Sequence, residues 1–150
     1  MNLNTEIDLD QAVQIMKKGG LKATKQRLAL LQLLFEKKDF YQTLAELTKQ
    51  MREQFAKMSN ETVYRNIKEL EQLQIVETRL FDNGVRAKFQ CDFNNTKHAH
   101  FICEVCGRII EIEQPDITAI LTRLPGFAIE QEHFELIGKC ADCQLAASSK

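Results

Sequence analysis

The sequence predicts an α+β fold in two parts, and each part has its own pattern of apolar residues. In the first half, apolar residues recur at helical spacing in four short segments. The period then changes to that of strands on either side of Asn83-Gly84, a strong hairpin signal. In the second half, short β-rich runs surround two Cys-x-x-Cys motifs. No apolar run in the 150 residues approaches the roughly 18 needed for a membrane span, so we expect no membrane partner.

Four helices are predicted before the hairpin. The first covers residues 10–18 and ends at Gly19-Gly20. The predicted N-caps of the four helices, in chain order, are Asp8, Thr24, Thr43 (a capping box with Glu46) and Ser59 or Asn60. Strands over residues 75–81 and 85–91 follow. Short helices followed by a hairpin indicate a winged helix-turn-helix over residues 1–91.

The fourth helix indicates what this first domain binds. If its apolar residues are buried, the opposite face shows Glu61, Tyr64, Arg65 and Lys68. Arg can read guanine bidentately in the major groove of DNA, and Tyr and Lys can hold phosphates. The alternative is an ordinary solvated helix face. The helix order, the caps and the following hairpin favour DNA binding.

The charge is divided unevenly between the two halves. Residues 1–90 carry 15 Lys and Arg against 12 Asp and Glu, whereas residues 91–150 carry five against nine. A basic first half suits a polyanion and an acidic second half suits a cation. The excess is small, and solvated surface charge also accounts for it.

The two cysteine motifs, Cys103-x-x-Cys106-Gly107 and Cys140-x-x-Cys143, predict a structural zinc site. Four thiolates complete the closed tetrahedral shell that structural zinc prefers. The 33 residues between the motifs exceed the spacing of a compact zinc ribbon, so the metal would join distant pieces of a domain. Two disulfides are the competing interpretation. Residues 1–10 contain acids and no apolar core like that of a secretory signal, which favours the cytoplasm, reduced thiols and zinc.

The second half of the sequence is predicted to form an α/β domain. Strands are predicted over residues 101–102, 108–112 and 127–137, with a helix from Pro115 that stops at Pro125-Gly126. Each cysteine motif would then lie at a strand end, where one metal ion can hold two strands together.

Taken together, these motifs resemble the ferric-uptake-regulator family of bacterial metal-dependent repressors. The resemblance covers about residues 9–143. The matching stretches are Gly20-Leu21-Lys22-x-Thr24-x-x-Arg27, Thr62-Val63-Tyr64-Arg65-x-x-x-x-Leu70, His98-x-His100-Phe101-Ile102-Cys103-x-x-Cys106-Gly107, Gly126-Phe127 and Gly138-x-Cys140-x-x-Cys143.

The resemblance implies a homodimer that binds double-stranded operator DNA. It implies a DNA-binding domain over residues 1–91, a hinge over residues 92–97 and an α/β dimerisation domain over residues 98–150. It assigns the DNA contacts to Thr62, Tyr64, Arg65, Lys68 and Arg27.

Family members divide by the metal they sense, and the fifth cysteine bears on this choice. Iron and peroxide sensors of this kind take a histidine from the loop before the third helix, but this chain has Phe40, Tyr41 and Gln42 there. Zinc-uptake regulators of the family instead place a cysteine where Cys91 stands. Their regulatory site maps onto Glu77, Cys91, His98 and Glu111. With the four-cysteine site, this gives two Zn²⁺ per chain.

Thiolate, imidazole and carboxylates make a softer ligand set than nitrogen and oxygen alone, which favours Zn(II) over Fe(II) or Mn(II). The alternative for Cys91 is a small buried apolar residue. On a strand, His100 points to the same side as His98, so it can replace it or help to form a further site with Asp92 and Glu132 or His133. A structural surface role for His133 is equally compatible with the sequence.

The expected function is therefore a zinc-responsive transcriptional repressor of zinc-acquisition genes. One alternative is an iron- or peroxide-sensing repressor of the same family, and another is a zinc-stapled interaction protein that senses nothing. A zinc hydrolase or deaminase would need an open metal position and a glutamate base, as in His-x-Glu. Here the block reads His98-Ala99-His100, so we expect neither an enzyme nor a small organic substrate.

Overall fold

The chain divides into two compact units, Met1–Phe93 and Asn94–Lys150, in the computed structural model. The structure describes residues 3–90 and 99–148. Among the helices of these residues, none has the length and apolarity needed to cross a membrane.

The first unit is built from four helices and a small antiparallel sheet. Its elements are α1 (Leu3–Lys18), α2 (Lys25–Glu36), β1 (Gln42–Thr43), α3 (Leu44–Gln54), α4 (Asn60–Gln72), β2 (Val76–Phe81) and β3 (Gly84–Phe89). The strands lie in the order β1-β3-β2. This is the helical N-terminal region with a hairpin that the sequence predicts.

Three of the four predicted N-caps are confirmed. The backbone amides of Arg27, Glu46 and Thr62 donate to the hydroxyl oxygens of Thr24, Thr43 and Ser59, at 3.2, 3.1 and 3.1 Å. Each bond satisfies an amide that the first helical turn leaves without a partner. The prediction for the first helix is wrong, because α1 begins at Leu3 and Asp8 therefore lies inside it.

The core of the first unit is formed where the helices meet the sheet. Its fully buried side chains include Met16, Leu30, Leu31, Leu34, Leu47, Ile67, Leu70 and Ile75. Burial of one such side chain contributes about 1.5–3 kcal/mol. The helical spacing of Leu28, Leu31, Leu34 and Phe35 predicts that all four face this core. Leu28 is 38% exposed, however, and Leu30 is buried instead.

The turn between β2 and β3 has the conformation that its sequence predicts. Gly84 has a φ of +115°, which is accessible to glycine and strained for other residues. The Arg86 guanidinium donates to the side-chain oxygen of Asn83 at 3.2 and 3.3 Å, which ties the turn to β3. The hairpin register pairs Phe81 with Gly84 and Val76 with Phe89.

The second unit is a small sheet with two helices. Its elements are β4 (Ala99–Cys103), β5 (Ile109–Ile112), α5 (Thr118–Leu121), β6 (Glu135–Gly138) and α6 (Ala141–Ser148). The strands lie in the order β5-β4-β6, with β4 antiparallel to β5 and parallel to β6.

Two elements of the second unit differ from the sequence prediction. The strand predicted over residues 127–137 is reduced to β6, and the helix after Pro115 is a single turn. Among the described residues, 127–134 form no strand, although the Phe134 carbonyl accepts a hydrogen bond from the His100 amide of β4 at 3.3 Å. Their larger side chains are exposed, with Phe127 at 68%. A strand forms only where a neighbouring strand pairs with it, and the local sequence does not show which neighbour is available.

Candidate metal centre and nucleic-acid interface

The four cysteines of the two motifs meet at one end of the second sheet. Cys103 is the last residue of β4, and the chain turns back through Cys106 and Gly107 to β5. Gly107 has a φ of +79°, and its amide donates to the Cys103 carbonyl at 3.0 Å. Cys140 follows β6, and Cys143 lies in the first turn of α6. The parallel pairing of β4 with β6 brings the two motifs together.

The sulfur positions suit a tetrahedral metal ion. All four Sγ atoms lie within 4.8 Å of one another, and those of Cys106 and Cys140 are 3.8 Å apart. A tetrahedron with Zn–S bonds of about 2.3 Å has edges of about 3.8 Å. The four thiols are free, so the disulfide interpretation is not the one the fold adopts. In the part of the chain that the structure describes, no other cluster of three or more His, Cys, Asp or Glu side chains has such a geometry.

The thiols differ in how easily they lose a proton. Burial raises the pKa of Cys103, but backbone N–H groups of Cys106, Cys140 and Val105 outweigh it and lower this pKa to about 6. The thiol–thiol hydrogen bond with Cys140 raises the pKa of Cys143 to about 12, with burial and the neighbouring Cys103 acting in the same direction. Burial also raises the pKa of Cys106. One thiolate is therefore favoured, and further thiolates repel it unless a cation is bound.

The cluster also depends on an element that the sequence analysis missed. Helix α6 was not predicted, although Leu145, Ala146 and Ala147 are good helix formers directly after the second motif. A groove of about 230 Å³ is lined by Val105, Lys139, Cys143, Ala146 and Ala147 beside the cluster.

The predicted DNA-reading face lies on α4, as the spacing indicates. Val63, Ile67 and Leu70 are buried, whereas Tyr64 is 44% exposed and Arg65 is also exposed. Thr62 lies at the start of the helix, where its hydroxyl is 2.9 Å from that of Ser59.

Lys68 on the same face is held by its neighbours. Its Nζ lies 3.4 Å from the Glu71 carboxylate and 5.6 Å from the centre of the Tyr64 ring. Glu71 also accepts a hydrogen bond from the Thr78 hydroxyl on β2. This role of Glu71 was not predicted, although its i, i+3 spacing to Lys68 was an available signal.

Arg27 differs from the other predicted DNA contacts, because its guanidinium is bound to protein atoms. It donates to the Asn66 side chain, the Glu69 carboxylate and the Lys22 carbonyl, at 3.3, 2.7 and 3.0 Å. Its side chain is only 19% exposed.

Of the four predicted regulatory ligands, the structure describes Glu77 and Glu111. Cys91, Asp92 and His98 lie outside the described residues. Glu77 is on β2, where the Tyr41 hydroxyl donates to its carboxylate at 3.4 Å and Lys88 Nζ is 3.8 Å away. Glu111 is on β5, directly opposite His100 on β4.

The further site suggested for His100 stays a prediction, because Asp92 lies outside the described residues. The Gln114 side chain donates to the Glu132 carboxylate, and a His133 ring nitrogen is 3.4 Å from the Gln131 side-chain oxygen. His100 is in register with Glu111 and Glu135 on the neighbouring strands, and its amide donates to the Phe134 carbonyl at 3.3 Å.

The fold and the two sites define a class of protein, a winged-helix transcription regulator with a four-cysteine metal centre. The chain belongs to the ferric uptake regulator family, whose pattern matches residues 18–137. It is therefore a DNA-binding metalloregulator and not an enzyme.

Curated relatives carry names of different sensors. The ferric uptake regulation protein of Staphylococcus epidermidis is 32% identical over 142 residues, which cover 95% of this chain and all of the relative. The peroxide-responsive repressor PerR of Staphylococcus aureus is 27% identical over 142 residues, covering 93% of each chain.

Two solved structures are similar over nearly the whole chain. The Helicobacter pylori ferric uptake regulator, described with three functional metal-binding sites, has a TM-score of 0.69 at 25% identity and 93% coverage of each chain. A zinc uptake regulator complexed with zinc and DNA has a TM-score of 0.66 at 27% identity, covering 98% of this chain and 99% of the other.

Proposed function

We propose that this protein is a zinc-responsive repressor of zinc-acquisition genes. The observation that carries the proposal is the distribution of soft ligands. All three histidines, His98, His100 and His133, lie in the second half, and a fifth cysteine, Cys91, follows the hairpin. A site that includes a thiolate favours Zn(II) over Fe(II) and Mn(II).

The regulatory ion would be held by Glu77, Cys91, His98 and Glu111. Glu77 and Cys91 belong to the DNA-binding half of the sequence. His98 and Glu111 belong to the second half. Ligands drawn from both halves would restrict the movement of one half relative to the other. Zinc excess would thereby favour the arrangement in which the dimer binds its operator.

A second zinc ion would be structural and would bind Cys103, Cys106, Cys140 and Cys143. The sulfur–sulfur distances support this assignment, since they match a tetrahedral shell with no open position. One structural and one regulatory ion give two zinc ions per chain.

The DNA contacts in this proposal come from α4. Arg65 would read a base edge, while Tyr64, Lys68 and Thr62 would contact the phosphate backbone. The exposure of Tyr64 and Arg65 on a capped helix supports this role. A repressor that acts on chromosomal DNA with reduced thiols would work in the cytoplasm.

The homodimer is supported by apolar surface on the second unit. Side chains that a single chain leaves exposed include Phe127 at 68%, Leu145 at 67%, Ile120 at 58% and Ile137 at 56%. Apolar side chains concentrated on so small a domain mark an interaction surface, and a second copy of the chain would cover them.

Metal titration tests the function and separates it from the alternative. The names of the curated relatives favour an iron- or peroxide-sensing repressor as the second candidate. Protein that retains only its four-cysteine metal is titrated with Zn²⁺, Fe²⁺ or Mn²⁺ while binding to an operator duplex is measured. The duplex is first selected by the zinc-loaded protein, and separately by the iron-loaded protein, from a randomised pool. Binding triggered by submicromolar Zn²⁺ supports the proposal, whereas binding triggered by Fe²⁺ or Mn²⁺ alone would replace it with the alternative.

A further inference from the structure

The side chain of Arg27 joins three separate segments of the first unit. Arg27 lies in the first turn of α2, and its guanidinium contacts the loop before α2 through the Lys22 carbonyl. It also contacts Asn66 and Glu69, which are three residues apart on α4. The bond to Glu69 is short, at 2.7 Å, and is charge-assisted. Asn66 is only 8% exposed, so its side-chain oxygen is largely shielded from water.

These contacts supply a directional restraint that the apolar core of α4 lacks. Val63, Ile67 and Leu70 fix how deeply α4 packs, but apolar contacts are non-directional and tolerate small rotations of a helix about its axis. A planar guanidinium bound to two residues on one side of the helix resists such a rotation. Arg65 is next to Asn66 in sequence, so any rotation of the helix at Asn66 redirects Arg65 as well.

We propose that Arg27 is a positioning residue for DNA recognition, acting through Asn66 and Glu69 to set the rotation of α4. In this role Arg27 determines how Arg65 meets a base edge, and its charge does not need to reach a phosphate. The proposal rests on the proposed reading of DNA by α4.

A variant that lacks the Glu69 carboxylate distinguishes a positioning role of Arg27 from a direct contact between Arg27 and a phosphate. If electrostatics alone operated, removal of the Glu69 carboxylate would raise the affinity for DNA, because a negative charge beside the polyanion is lost. If Glu69 anchors Arg27, its removal lowers the affinity for the specific duplex. The two roles therefore predict changes of opposite sign.

The experiment uses zinc-loaded full-length protein, a duplex that the wild-type protein selects from a randomised pool, and a mixed-sequence duplex of equal length. The variants are Arg27→Met, Arg27→Lys, Glu69→Met and the double variant, with Glu61→Met as the matched control. Glu61 is an exposed carboxylate on the same helix. Thermal unfolding and metal content verify that each variant is folded.

We expect each single variant at positions 27 and 69 to bind the selected duplex about tenfold more weakly, with less than a twofold change on the mixed-sequence duplex. The double variant should lose no more than either single variant, because both disrupt one unit. Glu61→Met should bind both duplexes more tightly, because it removes a negative charge from the face of α4 that would meet DNA. Arg27→Lys should behave like Arg27→Met, since an ammonium cannot reproduce three hydrogen bonds in one plane.

Three results would overturn the proposal. The first is wild-type affinity of Arg27→Lys for the selected duplex, and the second is a higher affinity of Glu69→Met for that duplex. The third is an Arg27→Met variant that loses equal affinity for both duplexes and whose affinity depends less steeply on salt. Failure of the DNA-reading role itself is recognised separately, because Arg65→Ala would then bind the selected duplex as well as the wild type does.

Discussion

Lys88 and Glu77 face each other across the β2–β3 hairpin, with Lys88 Nζ 3.8 Å from a Glu77 carboxylate oxygen. The lysine is 2% exposed, whereas the glutamate is 41% exposed. Lys88 Nζ also donates to the Phe89 carbonyl at 2.8 Å. A buried ammonium needs a nearby counter-charge, and Glu77 provides it. The proposed regulatory ligand on this hairpin is therefore already paired with a cation.

The first prediction concerns competition between this lysine and zinc. Two cations close to one carboxylate repel each other, and solvent at the half-exposed Glu77 screens the effect only in part. Lys88→Met keeps an unbranched apolar stem and removes the charge. We expect the regulatory zinc to bind about tenfold more tightly to this variant, as measured by competition with a chromophoric chelator.

The controls for the first prediction are Glu77→Gln alone and Glu77→Gln combined with Lys88→Met. Glu77→Gln should weaken regulatory zinc binding, and Lys88→Met should have little effect in the Glu77→Gln background. An unchanged zinc affinity in Lys88→Met would show that the lysine does not oppose the metal.

The second prediction concerns the regulatory thiolate. Cys91→Ser should lower the zinc content by one ion per chain and make DNA binding insensitive to added zinc, because a serine hydroxyl is a poor zinc ligand at neutral pH. The fold and the four-cysteine metal should be unaffected. Zinc content by mass spectrometry under native conditions and DNA binding across a zinc titration measure these effects.

His133→Ala is the matched comparison for Cys91→Ser. The His133 ring contacts only the nearby Gln131 among the contacts described for it, so zinc-triggered binding should persist in this variant. If Cys91→Ser still responds to zinc, the sensing site lies elsewhere, and His100 with its cross-strand neighbour Glu111 becomes the next candidate.

Local signals in the sequence predicted three of the four helix starts in the first unit. Thr24, Thr43 and Ser59 cap their helices as predicted, because a cap depends on residues three positions away. The Cys-x-x-Cys motifs likewise predicted which thiols meet.

Features that depend on distant partners could not be predicted in this way. Strand β1 has two residues and exists through its pairing with β3. The engagement of Arg27 with Glu69 joins residues 42 positions apart, and no local pattern indicates it. The burial of Lys88 opposite Glu77 required the register of the hairpin as well as its presence.

The third prediction concerns the structural metal. Cys103→Ser or Cys140→Ser should unfold the second domain and abolish dimerisation, because binding of structural zinc is coupled to folding. Both residues are buried at the strand ends that the metal would join. Circular dichroism and sedimentation measure the outcome, and Cys91→Ser is the control that should remain folded. A stable dimer from either variant would contradict the structural role.

The fourth prediction concerns pH. The lowered pKa of Cys103, about 6, keeps this group a thiolate at neutral pH, whereas the raised pKa values of Cys106 and Cys143 keep those groups protonated without metal. Zinc binding must displace these protons, so its apparent affinity should fall as the pH is lowered, and more steeply below about pH 6, where Cys103 is also protonated. Zinc release to an indicator dye, measured from pH 8 to pH 5, checks this. A flat profile would mean that the thiolates are not the ligands.

The last prediction separates base reading from phosphate contacts on α4. Arg65→Ala should weaken binding to a selected duplex by about 1–3 kcal/mol and relax the preference at one base pair, since a bidentate contact to guanine is lost. Lys68→Ala should weaken binding to all sequences alike. It should also make the dependence of affinity on salt concentration less steep, by an amount that corresponds to about one phosphate contact.

Glu71→Gln tests the role of Lys68 by removing the charge of its partner. Glu71 holds Lys68 at 3.4 Å, so neutralising the carboxylate should release the ammonium and strengthen binding to every sequence. Binding isotherms for the three variants on selected and mixed-sequence duplexes, at several salt concentrations, give the comparison. If Arg65→Ala kept its sequence preference while Lys68→Ala lost it, the two roles would have to be exchanged.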